Sequence, residues 1–550
     1  MDNKKIWKLP LATALTLFLL SSAAYAADPQ QRPQAGSDSG VQLSRTRQYL
    51  EYQRMQQRLA EGPGIGIESN KGTKEESKSN VSFTLKAVET SPSQVFQKED
   101  IQKLAAPYLQ KNVSLDDLYA LVNSINEQYR KKGLITCRAF LAPQTIHDGV
   151  VRIELIEGKT GQVDVEGNPS TRSDYITSRV HLPQGGLANV KELDKELLRF
   201  NATNDAQLHL SLKAGAAPGT TDYILSLAEP QKQVFGLFAD NAGYKTSGLY
   251  RGGMYWQDRS LLGNRDSLFM SAVFSKGTKA FASSYTAPVN HHGAKAGVSY
   301  STNSVHIIDG PLEPLSVRGH SYAYNFFVTR PVQTTETLKS EVGLEYNYQH
   351  SQTTFLGMPW VNDRLSTFHV YYDQIDYGKT TIFYQKHGYR FGRYTNISDV
   401  SRNYGKYELN TLFQKVFPHG QGWTLRLDGQ LSSTQYLPSA EMFYLGGLYS
   451  VRGYKESLIG GDGGFMASAE YAVPVSKNKK TSAYVFLDGG RVWGSSAFGD
   501  RSLVGTGLGI KSDVGSHATI NVALAFPLIR TINDEEQSRT RVHFSFNSSF

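Results

Sequence analysis

The feature that most limits the fold of this chain is a period-two alternation running, with breaks at turns, from about Gln233 to Phe550. Leu338, Val342, Leu344, Tyr346 and Tyr348 fall on one side of an extended segment, against Lys339, Glu341, Glu345, Asn347 and Gln349. Trp423, Leu425, Leu427 and Leu431 likewise oppose Thr424, Arg426, Asp428 and Gln430. At the chain end, Val542, Phe544, Phe546 and Phe550 oppose Arg541, His543, Ser545 and Asn547. Successive strand residues face opposite ways, so each segment reads as a strand with one apolar and one polar face. A soluble sandwich turns the apolar faces inward, whereas a membrane barrel turns them to lipid.

The first residues weigh on that choice. Lys4, Lys5 and Lys8, an apolar run from Leu11 to Leu20, and Ala24-Tyr25-Ala26 predict a secretory signal over residues 1–26. The apolar run is too short to cross a ~30 Å hydrocarbon core as a helix, and no later segment approaches the ~20 apolar residues that would. Only helices and closed barrels satisfy every backbone group in lipid. An exported chain with this alternation, a terminal Phe550 and no convincing helix after Gln233 is therefore expected to form a transmembrane antiparallel β-barrel. At roughly 20 residues per strand and turn, the roughly 320 residues available predict about 16 strands.

Composition agrees with this reading. The 31 tyrosines and 26 phenylalanines suit aromatic girdles at lipid interfaces, and 50 glycines suit strands and turns. The single cysteine, Cys137, excludes an intramolecular disulfide and reads as a small buried apolar residue. A net charge of +8, from 58 basic and 50 acidic residues mixed throughout, points to solubility and away from nucleic acid.

Upstream of the barrel the pattern changes. Residues 27–40 are rich in Gln, Pro, Ser, Asp and Gly and are expected to be disordered. A helix is predicted over about Val41–Glu61, with Tyr52, Met55 and Leu59 on one face and Arg45, Arg47, Arg54 and Arg58 around the rest. So polar a helix is either a solvated leader or a plug in a wet lumen. Residues 62–80 read as a linker. Residues 81–157 and 158–230 each predict strand, helix, strand, strand. In the first, Val81–Val88 is a strand, and Ser114 with Asp117 opens a helix carrying Leu118, Val122, Ile125 and Tyr129 that Gly133 ends. Strands follow around Leu134–Phe140 and Val150–Ile156. In the second, Gln162–Val165, a helix with Leu193, Leu197 and Phe200, alternating Leu208, Leu210 and Leu212, and Tyr223–Leu227 complete the unit.

Within the barrel a glycine-rich loop carries Val451-Arg452-Gly453-Tyr454, and a later strand places Phe486, Asp488 and Gly490 on one face. If that face lines the lumen, Arg452 can give Asp488 a bidentate partner; the alternative is that each is solvated separately. Val317-Arg318-Gly319-His320 nearly repeats the motif without the preceding glycine run. Gly505-Thr506-Gly507-Leu508-Gly509 lacks the strand-to-helix context of a dinucleotide site and reads as small residues on a strand. His291-His292 reads as a loop pair, since adjacent strand residues face apart. No nucleophile elbow, His-Glu-x-x-His or P-loop pattern is present, so no enzyme, cofactor or metal is expected.

The order of signal, polar helix, linker, two modules, barrel, Val451–Tyr454, Phe486–Gly490 and Phe550 resembles the two-partner secretion transporters (TpsB, the ShlB/FhaC/HecB family). The resemblance implies a plug helix, two periplasmic POTRA domains and a 16-stranded monomeric barrel in outer-membrane lipid. It implies that Arg452 contacts Asp488 from a loop tucked into the lumen. The implied partner is a large TpsA-type exoprotein bound through the POTRA domains and lumen: an adhesin, a haemolysin, or, for a transporter of the CdiB subgroup, a contact-dependent growth-inhibition toxin. Competing readings are a barrel-assembly factor, whose relatives carry more modules, and a diffusion porin, which needs none.

Overall fold

A helix threaded through a closed barrel, with two α/β modules before it, makes up the computed structural model, which describes residues 35–60, 62, 82–495, 497, 500–515 and 517–550. The expected signal segment and nearly all of the expected linker lie outside the described residues, as does the side chain of Arg54.

In the first module the helix Leu115–Lys131 begins at Ser114, whose hydroxyl accepts from the Asp117 N–H at 3.2 Å. Asp117 returns the bond to the Ser114 N–H at 2.8 Å, satisfying two orphan donors of the first turn. Those bonds hold the Asp117 carboxyl below its ordinary range. Leu118, Leu121, Val122, Ile125 and Tyr129 bury one helix face against Leu85, Val151, Ile153 and Cys137. The expected strand Val81–Val88 is broken at Lys86. Ser82–Leu85 pairs with Lys111–Ser114, whereas Ala87–Thr90 runs parallel to Val150–Glu157 in a different sheet. The strand expected from Leu134 is confined to Cys137–Phe140. An additional helix, Lys98–Ala105, escapes periodicity because it buries only Ile101 and Ala105.

The second module pairs Lys159–Glu166 in parallel with Thr220–Ala228, and that strand antiparallel with Gln207–Ala214. Helix Val190–Thr203 covers the sheet with Leu193, Leu197 and Phe200, joined by Tyr175 and Ile176 of the short helix Ser173–Thr177.

Sixteen described strands, from Gln233–Asp240 to Arg541–Ser549, close into one antiparallel barrel. The last strand meets the first with Ser545 opposite Asp240 and Ser549 opposite Gly236. Phe235 and Phe550 exchange backbone hydrogen bonds at 3.0 and 2.7 Å, so the chain end completes the seam. The faces settle which alternation this is. Val485 and Leu487 are 57% and 54% exposed while Asp488 between Leu487 and Gly489 is 0%, so apolar side chains face outward. The modules enter at Gln233, which puts the short turns 335–337 and 378–380 on the module side. The long segment 433–462 belongs to the opposite, outer mouth. On the module side Arg265, its guanidinium fully buried, pairs with Asp205 and lies 3.9 Å from Glu229, seating the second module on the barrel.

A charge on the lipid face of a central strand should cost about 2–4 kcal/mol. Leu487→Arg is expected to lower barrel stability by that amount in urea unfolding in lipid vesicles, while Leu487→Phe leaves it near wild type.

Candidate functional site: the occupied lumen

Helix Ser39–Ala60 runs down the lumen, and its 22 residues make it roughly 33 Å long, about the thickness of the bilayer core. Its N-terminal end sits at the outer mouth. There Asp38 accepts from the Gly40 and Val41 N–H groups at 2.8 and 3.3 Å and from the Ser439 hydroxyl of the loop. The Ser39 hydroxyl lies 2.7 Å from that of Ser321 and donates to the Gln352 carbonyl at 3.0 Å. A Cβ on Gly319 would stand 2.6 Å from that of Ser39, so Gly319, in the near-copy of the motif, lets the start of the helix approach the wall.

Three of the arginines expected on this helix, Arg45, Arg47 and Arg58, bind around it. Arg45 donates to the Ser457 hydroxyl at 3.0 Å and Arg47 to the Asn347 amide oxygen at 2.8 Å. Arg58, near the module side, donates to both Asp373 oxygens at 2.9 and 3.3 Å and lies 3.3 Å from Glu341. Leu59 closes that end against Ile375, Tyr377, Tyr384 and Leu412. At the outer mouth a cavity of about 1630 Å³ remains, lined among others by Tyr244, Trp360, Tyr454 and His543.

The segment between strands Gly422–Ser432 and Gly463–Pro474 folds back inside as a ribbon, Phe443–Leu445 against Ile459–Gly461. At its turn Arg452 reaches the wall. Its Nε donates to Asp488 Oδ2 at 2.7 Å and its Nη2 to Oδ1 at 2.9 Å, a bidentate pair, and its backbone N–H also meets Oδ2 at 3.1 Å. Nη1 donates to Glu470 at 2.9 Å, Ser468 donates to Asp488 at 2.7 Å, and the guanidinium stacks 3.5 Å over the Phe486 ring. Each neighbour of Arg452 is fixed too. Gly453 N–H donates to His543 Nε2 at 3.1 Å; the Tyr454 hydroxyl donates to the Val504 carbonyl at 2.7 Å and accepts from Ile529 N–H at 3.1 Å. Val451 and Tyr454 are buried with Leu445, Ile459, Val492 and Leu503.

Small residues make room for this docking. A Cβ on Gly490 would meet Leu445 at 2.9 Å, and one on Gly505 would stand 2.1 Å from the Arg452 carbonyl. Gly507 and Gly509 take the edges of the Phe486 and Tyr484 rings. The glycine run lies on strand Ser502–Val514, as its small residues suggest, and Gly505 there seats the loop.

Sequence reading missed a second clamp. Glu441, on the same loop, lies 2.7 Å from Lys406 and 3.8 Å from Arg390, and Glu408 is shared with both at 2.9 and 3.4 Å. The available signal was Lys406 and Glu408 on the polar face of Ser401–Val416, which alternation alone marks as lumenal. His291 and His292 sit in a turn on the module side, where His292 Nδ1 is 3.1 Å from Arg199 of the second module.

Removing one partner of a buried ion pair strands the other and costs about 3–5 kcal/mol. Arg452→Ala should therefore release the loop, read as faster proteolysis within 433–462, while the barrel keeps its heat-resistant mobility on gels. Gly505→Ala should do the same without touching a charge, because its methyl collides with the Arg452 carbonyl.

Residues 219–512 match the family model described as Haemolysin secretion/activation protein ShlB/FhaC/HecB, and residues 83–158 match the POTRA domain, ShlB-type. The heme/hemopexin transporter protein HuxB of Haemophilus influenzae is 24% identical over 563 residues, covering 96% of this chain and 96% of that protein. The outer membrane transporter CdiB of Dickeya dadantii is 24% identical over 439 residues, covering 75% of this chain and 76% of its own length. Among solved structures, CdiB from Escherichia coli superposes with a TM-score of 0.68 at 18% identity, covering 95% of this chain and 100% of that one.

Proposed function

As a member of the haemolysin secretion/activation family ShlB/FhaC/HecB, the chain is an outer-membrane transporter that carries a partner exoprotein to the cell surface, and we propose that helix Ser39–Ala60 and loop 433–462 are its gate. The observation behind the gate is that the helix fills the lumen and is held there by polar contacts along its length, with buried apolar seats at Val41, Leu43, Tyr49 and Leu59.

On this reading residues 81–157 and 158–230 are the two periplasmic modules, and 231–550 is a barrel acting as a monomer with its outer face in lipid. The modules take the unfolded exoprotein by adding it to a sheet edge, for which the outer strand Gln207–Ala214 is placed. The helix then leaves, the loop changes partners, and the chain passes outward. No nucleotide-driven step is needed in this protein; folding of the cargo outside makes passage directional. The cargo is a large secreted exoprotein of the adhesin, haemolysin or contact-dependent toxin kind. A porin has no use for the modules, and a barrel-assembly factor has no use for a stopper held by its own wall.

Two measurements check the reading. Deleting the gene should remove the exoprotein encoded beside it from the cell surface, and an unchanged surface level would reject transport. Deleting residues 39–60 should raise single-channel conductance in planar bilayers severalfold, and an unchanged conductance would reject the stopper.

A further inference from the structure

The helix carries two tyrosines into a patch built by the wall and the loop. The Tyr49 ring lies 5.8 Å from Phe238 of the first barrel strand and 5.0 Å from Tyr449 of the loop, with the Arg251 guanidinium 5.5 Å over its face. The Tyr52 ring lies 6.3 Å from Tyr449, with the Arg426 guanidinium 5.2 Å over it. Phe238, Arg251 and Arg426 belong to the wall, and Tyr449 to the loop three residues before Arg452. The three wall residues stay when the helix goes, and Tyr449 stays with them as long as Arg452 holds the loop to Asp488.

The chemistry of the patch selects its ligand. Both arginines have their edges engaged. Arg251 donates to the two Asp240 oxygens at 2.8 Å each. Arg426 pairs with Asp428 and donates to the Tyr449 carbonyl at 2.9 Å. Their charge is compensated, so an acidic ligand gains little, but their flat faces stay open for stacking on aromatic rings. A helix solvated in a wet lumen does not need aromatic side chains, and a cavity of about 110 Å³ beside Tyr49 and Tyr52 shows that the patch is larger than what fills it.

Resting on the transport reading, we infer that Phe238, Arg251, Arg426 and Tyr449 form a binding site for aromatic side chains of the exported polypeptide, occupied at rest by Tyr49 and Tyr52. The helix is a stand-in for the cargo. Three helical residues advance ~4.5 Å, while an extended chain places same-side residues at i and i+2 ~6.6 Å apart, so the patch favours aromatics at alternate positions. Each passing ring is held briefly in the slot the helix vacated.

The test is current blockade of the barrel in planar bilayers by soluble 24-residue Gly/Ser peptides, with and without tyrosine at alternate positions. With residues 39–60 deleted, which empties the patch and opens the lumen, the tyrosine peptide should dwell about two- to tenfold longer than its tyrosine-free counterpart. Tyr449→Ser in that background should abolish the difference and Tyr449→Phe should keep it, with heat-modifiable mobility confirming a folded barrel in each case. Equal dwell times for the two peptides, no blockade by either, or a Tyr449→Ser variant that still favours tyrosine would each overturn the inference. Transport itself is read separately from surface exoprotein: normal secretion by the gene with no peptide preference rejects this site and leaves transport standing.

Discussion

Hydrocarbon offers the backbone no hydrogen-bond partner, so every strand in this wall has to be paired along both edges. The exchange between Phe235 and Phe550 and the ladder from Asp240 to Gly236 meet that demand at the one place where sequence neighbours cannot. Closure at sixteen strands has a second consequence: the bore is wider than its own side chains can fill. The wall answers with lumenal Asn347, Asp373, Asp488 and Lys406, and these are the groups that hold the helix and the loop. Filling and wall are therefore one polar design, fixed by what faces lipid.

The charges inside obey a common rule. Arg452 is shared between Asp488 and Glu470, Glu441 between Lys406 and Arg390, and Arg58 between Asp373 and Glu341. Desolvated ions are tolerable only while paired. A loop anchored at two separate places on the wall by Arg452 and Glu441 cannot drift by degrees; it moves by exchanging one set of partners for another or for water. Helix and loop are also joined to each other, through Asp38 with Ser439 and Arg45 with Ser457. Displacing one loosens the other.

Much of the barrel could be read in advance because lipid imposes a period that residue type reports directly. Val542 against His543, or Leu425 against Arg426, needs no tertiary knowledge. The Arg452–Asp488 pair was visible as two residues of matching charge, but spacing in sequence left their pairing open, and only the inward fold of the loop decides it. Glu441 was invisible because its partners lie 35 and 51 positions away on strands whose own pattern is complete without it. The break at Lys86 was hidden for a different reason. Residues 82–90 are uniformly strand-like, and the switch between two sheets is set by Gly149, whose carbonyl accepts the Lys86 N–H at 2.7 Å.

The sparsely apolar surface of helix Ser39–Ala60 carries a thermodynamic consequence for how often the pore can be reused. Hydrogen bonds exchanged with water return only about 0.5–1.5 kcal/mol each, so on the gate reading the contacts of Arg45 and Arg47 resist release less than the buried pair of Arg58 with Asp373 and the apolar seat of Leu59. On the gate reading, a helix that has left carries few large apolar side chains to aggregate or to sink into lipid. A stopper of this kind would act as a reversible ligand of its own barrel, with an occupancy that a competing chain adjusts by mass action.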